Sequence, residues 1–182
     1  MRQRTAFSRT PFLCRNNFQG ILLLTTSNLF LWTEDLSVAT QQVDEQHKGL
    51  LDLFNQLHAS ISEKRGNDTS REIFEALVES TRLHFLFEES MMRLTHYVGY
   101  PAHKTQHEFL MEQICAVQTK LDNETGEITI DFLNSHKIWW ENHIRGSDRD
   151  FSVHYEQSEL NKSADHENGI ASEERATWWK FW

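Results

Sequence analysis

Apolar residues between positions 41 and about 145 recur at steps of three and four, the spacing that places side chains on one face of an α-helix. Turn-forming residues divide this pattern into four helices. The predicted helices cover 42–64, ending at KRGND; 69–95, capped by Asp68 or Thr69; a stretch after Gly99 with Pro101 in its first turn, ending near DNETG; and a stretch from Thr129 to about Gly146. The connections between these four helices are short, and short connections place consecutive helices side by side. The pattern therefore favours an all-α, antiparallel up-down-up-down four-helix bundle.

Polar side chains interrupt the apolar rows of these helices. His84 and Glu88 lie four residues apart, as do His103 and His107, so each pair shares one helix face. A buried imidazole or carboxylate without a partner costs about 1–3 kcal/mol. Several such groups inside one bundle would add up this cost, and coordination of a shared metal site would remove it for all of them.

Three further residues complete the set of candidate metal ligands. They are His47 in the first helix and the pair His143 and Asp148 near the end of the fourth. His143 and Asp148 are five residues apart, which turns them away from each other on a continuous α-helix. We expect the helix to end at Gly146, so that Asp148 folds back over the end of the bundle. For any one residue a simpler interpretation stays open. A single histidine in an apolar row is more often an ordinary core residue, and Glu88 beside Glu89 also suits a pair of solvated acids.

Composition limits the classes of function. The chain of 182 residues has a formal net charge of −9, and an acidic chain is a poor partner for nucleic acid. Its two cysteines, Cys14 and Cys115, form no CxxC motif and suit a reduced, cytoplasmic compartment. The longest apolar run, from Ile21 to Leu24, is far shorter than the ~20 residues of a membrane-spanning helix.

We divide the chain into a bundle at residues 32–151 and two extensions. Residues 1–31 contain arginines but no acids, and we interpret them as a flexible arm; a secretory signal is the alternative, although the apolar core is short and no clear cleavage site follows it. Residues 152–182 begin as a polar tail and end in an aromatic cluster beside lysine, which suits a membrane surface or a groove on a protein partner. Packing back onto the bundle is equally compatible. The cluster consists of Trp178, Trp179, Phe181 and Trp182.

Four segments of the chain resemble the hemerythrin family, in particular its single-domain bacterial members: VDEQHKGLLDLFNQL, HFLFEESMM, YPAHKTQHEF and WWENHIRGSD. The resemblance covers residues 32 to about 151 and implies two iron ions, Fe2+ or Fe3+, joined by an oxo or hydroxo group. It implies histidine ligands at His47, His84, His103, His107 and His143, and bridging carboxylates at Glu88 and Asp148. The remaining histidines match no ligand, and we expect them at the surface or the bundle edge. These are His58, His96, His136, His154 and His166.

The family places three histidines, here His103, His107 and His143, on an iron that becomes six-coordinate. The other iron, held by two histidines, here His47 and His84, keeps one open position. The resemblance therefore implies reversible dioxygen binding by a carrier or store, with delivery to a membrane enzyme as one use. We do not expect an enzyme, because dioxygen-activating di-iron bundles use Glu-x-x-His motifs and none occurs in this sequence.

Three alternatives remain open. The first is a sensor or adaptor for dioxygen, nitric oxide or redox state that signals through the terminal extensions. The second is an enzyme such as a di-iron peroxidase or nitric oxide scavenger. The third is a bundle that binds zinc or no metal.

Trp140 departs from the family pattern. Three residues before the last helix's histidine the family commonly has leucine, which lines the dioxygen pocket, and the neighbouring Trp139 occupies a place where the family usually has tryptophan. We hypothesise that Trp140 narrows the pocket and excludes water and anions, or controls dioxygen access. Simple filling of the bundle core is the alternative.

Overall fold

The computed structural model describes residues 28–158 and contains helices but no strands within that range. Four long helices form the bundle: α1 (Gln41–Ser62), α2 (Asn67–Leu94), α3 (Tyr100–Asp122) and α4 (Ile130–His143). A 3₁₀ turn at Glu34–Leu36 precedes them, and a π-helical turn at Ile144–Asp148, the π-turn, joins α4 to α5 (Arg149–Gln157). The predicted all-α four-helix bundle is confirmed. Across the described range, no helix has the length and apolar content needed to cross a bilayer.

The predicted cap of the second helix is wrong. α2 begins directly after Gly66, whose φ of 108° favours glycine, so Asp68 and Thr69 lie inside the first turn and cap nothing. Thr129 does cap α4, because its hydroxyl oxygen accepts a hydrogen bond from the Phe132 amide at 3.1 Å. Apart from the end of the last helix, the remaining boundaries agree with the predicted ones to within a few residues.

The bundle interior is mainly a closely packed apolar core. Every long helix contributes at least one fully buried aliphatic or aromatic side chain. The core includes Leu50, Phe54 and Leu57 of α1, Phe74 and Leu77 of α2, Leu110 and Ile114 of α3, and Leu133 of α4. Each such side chain stabilises the fold by about 1.5–3 kcal/mol when buried, so this core holds the helices in register around the polar residues.

The segment before α1 lies along the bundle. The backbone amide and carbonyl of Phe30 both bond to the Asn55 side chain, at 2.8 and 3.1 Å, and the Phe30 ring is buried. Nearer to α1, the Asp44 carboxylate accepts hydrogen bonds from the Ser37 hydroxyl at 2.5 Å and from the Val38 amide at 2.8 Å. These contacts fix the path of the segment from residue 30 to residue 38.

The prediction that the last helix ends at Gly146 is wrong. The chain widens into the π-turn, in which the Arg149 amide donates to the Ile144 carbonyl five residues earlier, and it continues into α5. On an α-helix, residues five apart point about 140° away from each other, but a π-helix aligns them. Asp148 therefore reaches back to His143, with 3.0 Å between Asp148 Oδ1 and His143 Nε2.

Residues 1–27 and 159–182 lie outside the described range. They contain most of the predicted N-terminal arm, His166 and the aromatic cluster of Trp178, Trp179, Phe181 and Trp182. Predictions about these residues stay predictions.

Candidate metal centre

Seven polar side chains converge inside the bundle near the π-turn. Their exposed fractions do not exceed 3%, so the protein shields them from bulk solvent. They are His47 from α1, His84 and Glu88 from α2, His103 and His107 from α3, His143 from α4, and Asp148 from the π-turn. The structure thus brings together all seven side chains that the sequence singles out.

The potential ligand atoms form two overlapping groups, and within each group these atoms lie no more than 4.8 Å apart. The first group consists of Glu88, His103, His107, His143 and Asp148. The second consists of His47, His84, Glu88 and Asp148. Both carboxylates belong to both groups, and the histidines divide three and two, as the resemblance implies. We call these the three-histidine and two-histidine groups.

Asp148 lies between the two groups. Its Oδ1 atom is 3.0 Å from His143 Nε2 and 3.1 Å from His103 Nε2. Its Oδ2 atom is 3.3 Å from His47 Nε2. Each carboxylate oxygen therefore faces a different group, which is the arrangement of a carboxylate that bridges two ions.

The unpaired atoms of this cluster fit metal ions. The Nε2 atoms of three histidines, His47, His84 and His103, lie 3.1–3.6 Å from carboxylate oxygens of Glu88 or Asp148. None of these three nitrogens or of the four carboxylate oxygens makes a well-oriented hydrogen bond among residues 28–158. His107 Nε2 and His143 Nε2 face each other at 3.1 Å, close to the roughly 3 Å between neighbouring ligand atoms that each lie about 2.1 Å from one ion. Each unpaired buried group costs about 1–3 kcal/mol, which bound cations would remove. Imidazole nitrogens combined with carboxylate oxygens suit iron.

Burial and neighbouring charges shift the pKa values of these groups in different directions. At His103 the carboxylates of Asp148 and Glu88 outweigh burial and raise the pKa to about 9. Burial lowers the pKa of His84 to about 3, so its ring is neutral and offers a lone pair. Burial and Asp148 act to raise the pKa of Glu88, but the neighbouring histidines outweigh them and lower it to about 2. The pKa of Asp148 is also lowered, because His143 and His103 outweigh the effect of burial. Both carboxylates therefore remain negative inside the protein.

Three of the five histidines also bond through the outer ring nitrogen, Nδ1. The contacts are His84 Nδ1 to Gln46 Oε1 at 3.0 Å, His143 Nδ1 to Gln106 Oε1 at 2.8 Å, and His107 Nδ1 to Glu89 Oε1 at 3.2 Å. An oxygen acceptor here requires the proton on Nδ1, which leaves Nε2 free to face the cluster. The sequence pattern does not single out these acceptors, because each is adjacent to one cluster residue but bonds to a histidine on another helix.

Trp140 is fully buried beside the two-histidine group. Its ring centroid lies 5.7 Å from that of His84 and 6.3 Å from that of His47. Trp139 is partly exposed and stacks on His143 of the three-histidine group, with 4.3 Å between centroids. The two adjacent tryptophans therefore lie closest to different halves of the cluster.

His136 is buried, so its predicted place at the surface or bundle edge is wrong. Its side chain is 6% exposed, its ring centroid lies 3.8 Å from that of Phe132, and its Nδ1 atom donates to the Phe132 carbonyl at 2.8 Å. Position 136 is one helical turn from Trp140, and the helical period turns both side chains inward. His136 belongs to neither ligand group. Of the other spare histidines in the described range, His96 is exposed and His58 and His154 are partly buried.

Residues 38–152 match the family model of the hemerythrin HHE cation binding domain. A bacteriohemerythrin of Stenotrophomonas maltophilia is 31% identical over 144 residues, which cover 78% of this chain and 91% of the relative. A bacteriohemerythrin of Pseudomonas aeruginosa is 33% identical over 135 residues, which cover 72% of this chain and 86% of the relative.

The fold comparison agrees with the sequence comparison. A crystal structure of wild-type hemerythrin matches with a TM-score of 0.67 and 26% identity, covering 70% of this chain and 98% of the other. All seven converging side chains lie within the range that the family model matches. By sequence, fold and its two buried groups of ligand atoms, this chain belongs to the hemerythrin family of di-iron proteins.

Proposed function

We propose that this chain reversibly binds dioxygen at a non-haem di-iron centre and serves as an oxygen carrier or store. The observation that carries the proposal is the pair of overlapping ligand groups that share two buried carboxylates. Membership of the hemerythrin family supports the same function. Delivery of dioxygen to a membrane enzyme is one use that we propose for such a store.

The seven converging side chains hold the two irons in this proposal. His103, His107 and His143 would hold one ion and His47 and His84 the other, and Glu88 and Asp148, which belong to both groups, would contribute to both. The two-histidine group supplies one protein ligand fewer, so dioxygen would bind on its side of the centre. Such an iron pair would supply the two electrons, one from each ion, and the proton that reversible dioxygen binding requires.

The surrounding side chains orient the ligands and keep water out. Gln46 holds the His84 ring through its outer nitrogen, so the neutral Nε2 atom stays directed at the cluster. Trp140 is fully buried and borders the two-histidine group, where the open position would lie. We propose that Trp140 lines the dioxygen pocket and excludes water and anions from it.

We favour a carrier over an enzyme because of the ligand chemistry. Dioxygen-activating di-iron bundles use two Glu-x-x-His motifs and further glutamates, a carboxylate-rich set. Here the candidate ligands are five histidines and two carboxylates, and the sequence has no Glu-x-x-His motif. A histidine-rich set leaves one position for exchange, which suits binding and release.

The test is reversible oxygenation of the iron-loaded protein. The reduced chain, reconstituted with Fe2+ without oxygen, should contain two irons per chain and be nearly colourless. Oxygen should produce a visible absorption band, and removal of oxygen should abolish it over repeated cycles. Steady consumption of a reductant with dioxygen would instead indicate an enzyme, and fewer than two irons per chain would contradict the proposal.

Two substitutions separate loss of the centre from loss of the fold. His103→Asn removes a proposed ligand and should lower the iron content and abolish the band. His136→Leu removes a buried histidine that belongs to neither ligand group and should retain both irons. Equal iron content in the two variants would contradict the ligand assignment.

A further inference from the structure

The outer nitrogens of three cluster histidines face acceptors of different charge. Gln46 and Gln106 present neutral amide oxygens, whereas Glu89 presents a carboxylate oxygen to His107. The N···O distances are similar, between 2.8 and 3.2 Å. Glu89 therefore differs from the other two acceptors in its charge, whereas its N···O distance is similar to theirs.

Glu89 is directed into the protein toward this one histidine. Its side chain is 13% exposed, and the His107 ring is 2% exposed. Among residues 28–158, no lysine or arginine forms an ion pair with Glu89. Lys104, which is close enough to feel the charge of Glu89, pairs with Glu108. The negative charge of Glu89 thus acts mainly on the N–H group of His107.

A second contact fixes the orientation of the His107 ring. Phe85 stacks on it almost in parallel, with 3.7 Å between centroids and 9° between planes. Stacking holds the plane of the imidazole, and Glu89 holds its rotation within that plane. His107 belongs only to the three-histidine group, so this alignment concerns one metal position.

The charge of the acceptor changes what His107 offers to a metal ion. A carboxylate draws the Nδ1 proton toward itself more strongly than an amide does, which makes the imidazole a more basic ligand. A more basic ligand stabilises the more positive state of the ion that it binds. We infer that Glu89 is a positioning residue that stabilises the ferric state of the iron held by His107, and so makes the centre harder to reduce. This inference rests on the proposed di-iron function.

Glu89→Gln tests the charge with the hydrogen bond retained, since glutamine already fills this role at positions 46 and 106. The measurement is the redox equilibrium of the iron-loaded centre with a mediator dye, followed optically without oxygen. We expect two irons per chain and an equilibrium constant about tenfold further toward the reduced form, the order of magnitude by which outer-shell partners change metal affinity. Gln106→Glu is the matched control, because it adds a carboxylate to His143 of the same group and should shift the equilibrium toward the oxidised form.

The outcomes separate this inference from the function on which it rests. Absence of two irons in the unmodified chain would overturn the di-iron proposal itself. With two irons present, a Glu89→Gln variant whose redox equilibrium matches the unmodified chain would overturn the role of Glu89. A shift of both variants in the same direction would also overturn it, because acceptor charge would then not be the cause.

Discussion

Replacing Trp140 with leucine tests whether this side chain controls the dioxygen pocket. Trp140 is the largest fully buried side chain in the described range, and it borders His84 and His47. Leucine is the residue that the family commonly has at this position. The substitution therefore opens space beside the proposed open iron position and leaves all seven proposed ligands in place.

Two opposing effects on stability should nearly cancel. The shorter side chain leaves roughly 60 Å³ unfilled, which at about 24 cal/mol per Å³ costs about 1.5 kcal/mol in addition to the lost burial of the removed apolar atoms. The indole Nε1 has no hydrogen-bond partner in the described part of the chain, so its removal relieves a penalty of about 1–3 kcal/mol. We expect the free energy of unfolding to change by less than about 1.5 kcal/mol and the variant to remain folded.

The size of the same cavity gives the expected effect of Trp140→Leu on the lifetime of the oxygenated protein. A water molecule or anion that fills it recovers at most the cavity cost of about 1.5 kcal/mol, which corresponds to about tenfold greater occupancy. If such species displace bound dioxygen, the oxygenated form of Trp140→Leu should decay faster than that of the unmodified protein, by a factor of up to about ten.

The assay times the decay of the visible absorption band of the oxygenated protein and measures the rate of dioxygen binding. Trp139→Leu is the control, because it removes the same type of side chain from the three-histidine side. We expect Trp139→Leu to leave the lifetime unchanged. An unchanged lifetime and binding rate in Trp140→Leu would refute the pocket role and leave Trp140 as a core residue. Equal acceleration in both variants would point to general loosening of the bundle.

Three further predictions concern the rest of the chain. Burial lowers the pKa of His136, so the unfolded chain binds its proton more readily, and His136 reduces stability as the pH falls below about 6.5. The free energy of unfolding of the unmodified protein, relative to that of His136→Leu, should therefore decline from about pH 7 to about pH 5, whereas a difference independent of pH would contradict this. Asp44→Ala removes a carboxylate that accepts two hydrogen bonds from the segment before α1, and it should lower the free energy of unfolding in urea by about 1–3 kcal/mol. Asp52 is exposed, so Asp52→Ala serves as a near-neutral control. Deletion of residues 174–182 should abolish binding to liposomes or to a protein partner while iron content is retained; unaltered binding would show that the aromatic cluster is not the contact.

The periodic spacing of side chains determined much of this protein. Steps of three and four residues predict the four long helices, because such residues share one helix face. The same rule pairs His84 with Glu88 and His103 with His107 without any knowledge of neighbouring helices. The helical period also turns position 136 inward. The prediction that His136 lies at the surface or bundle edge was wrong, because it was based on His136 matching no ligand position of the family. The helical period at this position was not used.

Only the tertiary structure decided how the pairs combine. The π-turn aligns His143 with Asp148, and a continuous α-helix would have turned them apart. The hydrogen bonds of the histidine Nδ1 atoms connect residues that are 18 to 38 positions apart in the sequence. Such contacts depend on which helices are adjacent and in what register, which is set by packing of the whole core. Local patterns in the sequence therefore predict the candidate ligands, whereas the packed bundle determines their partners and orientation.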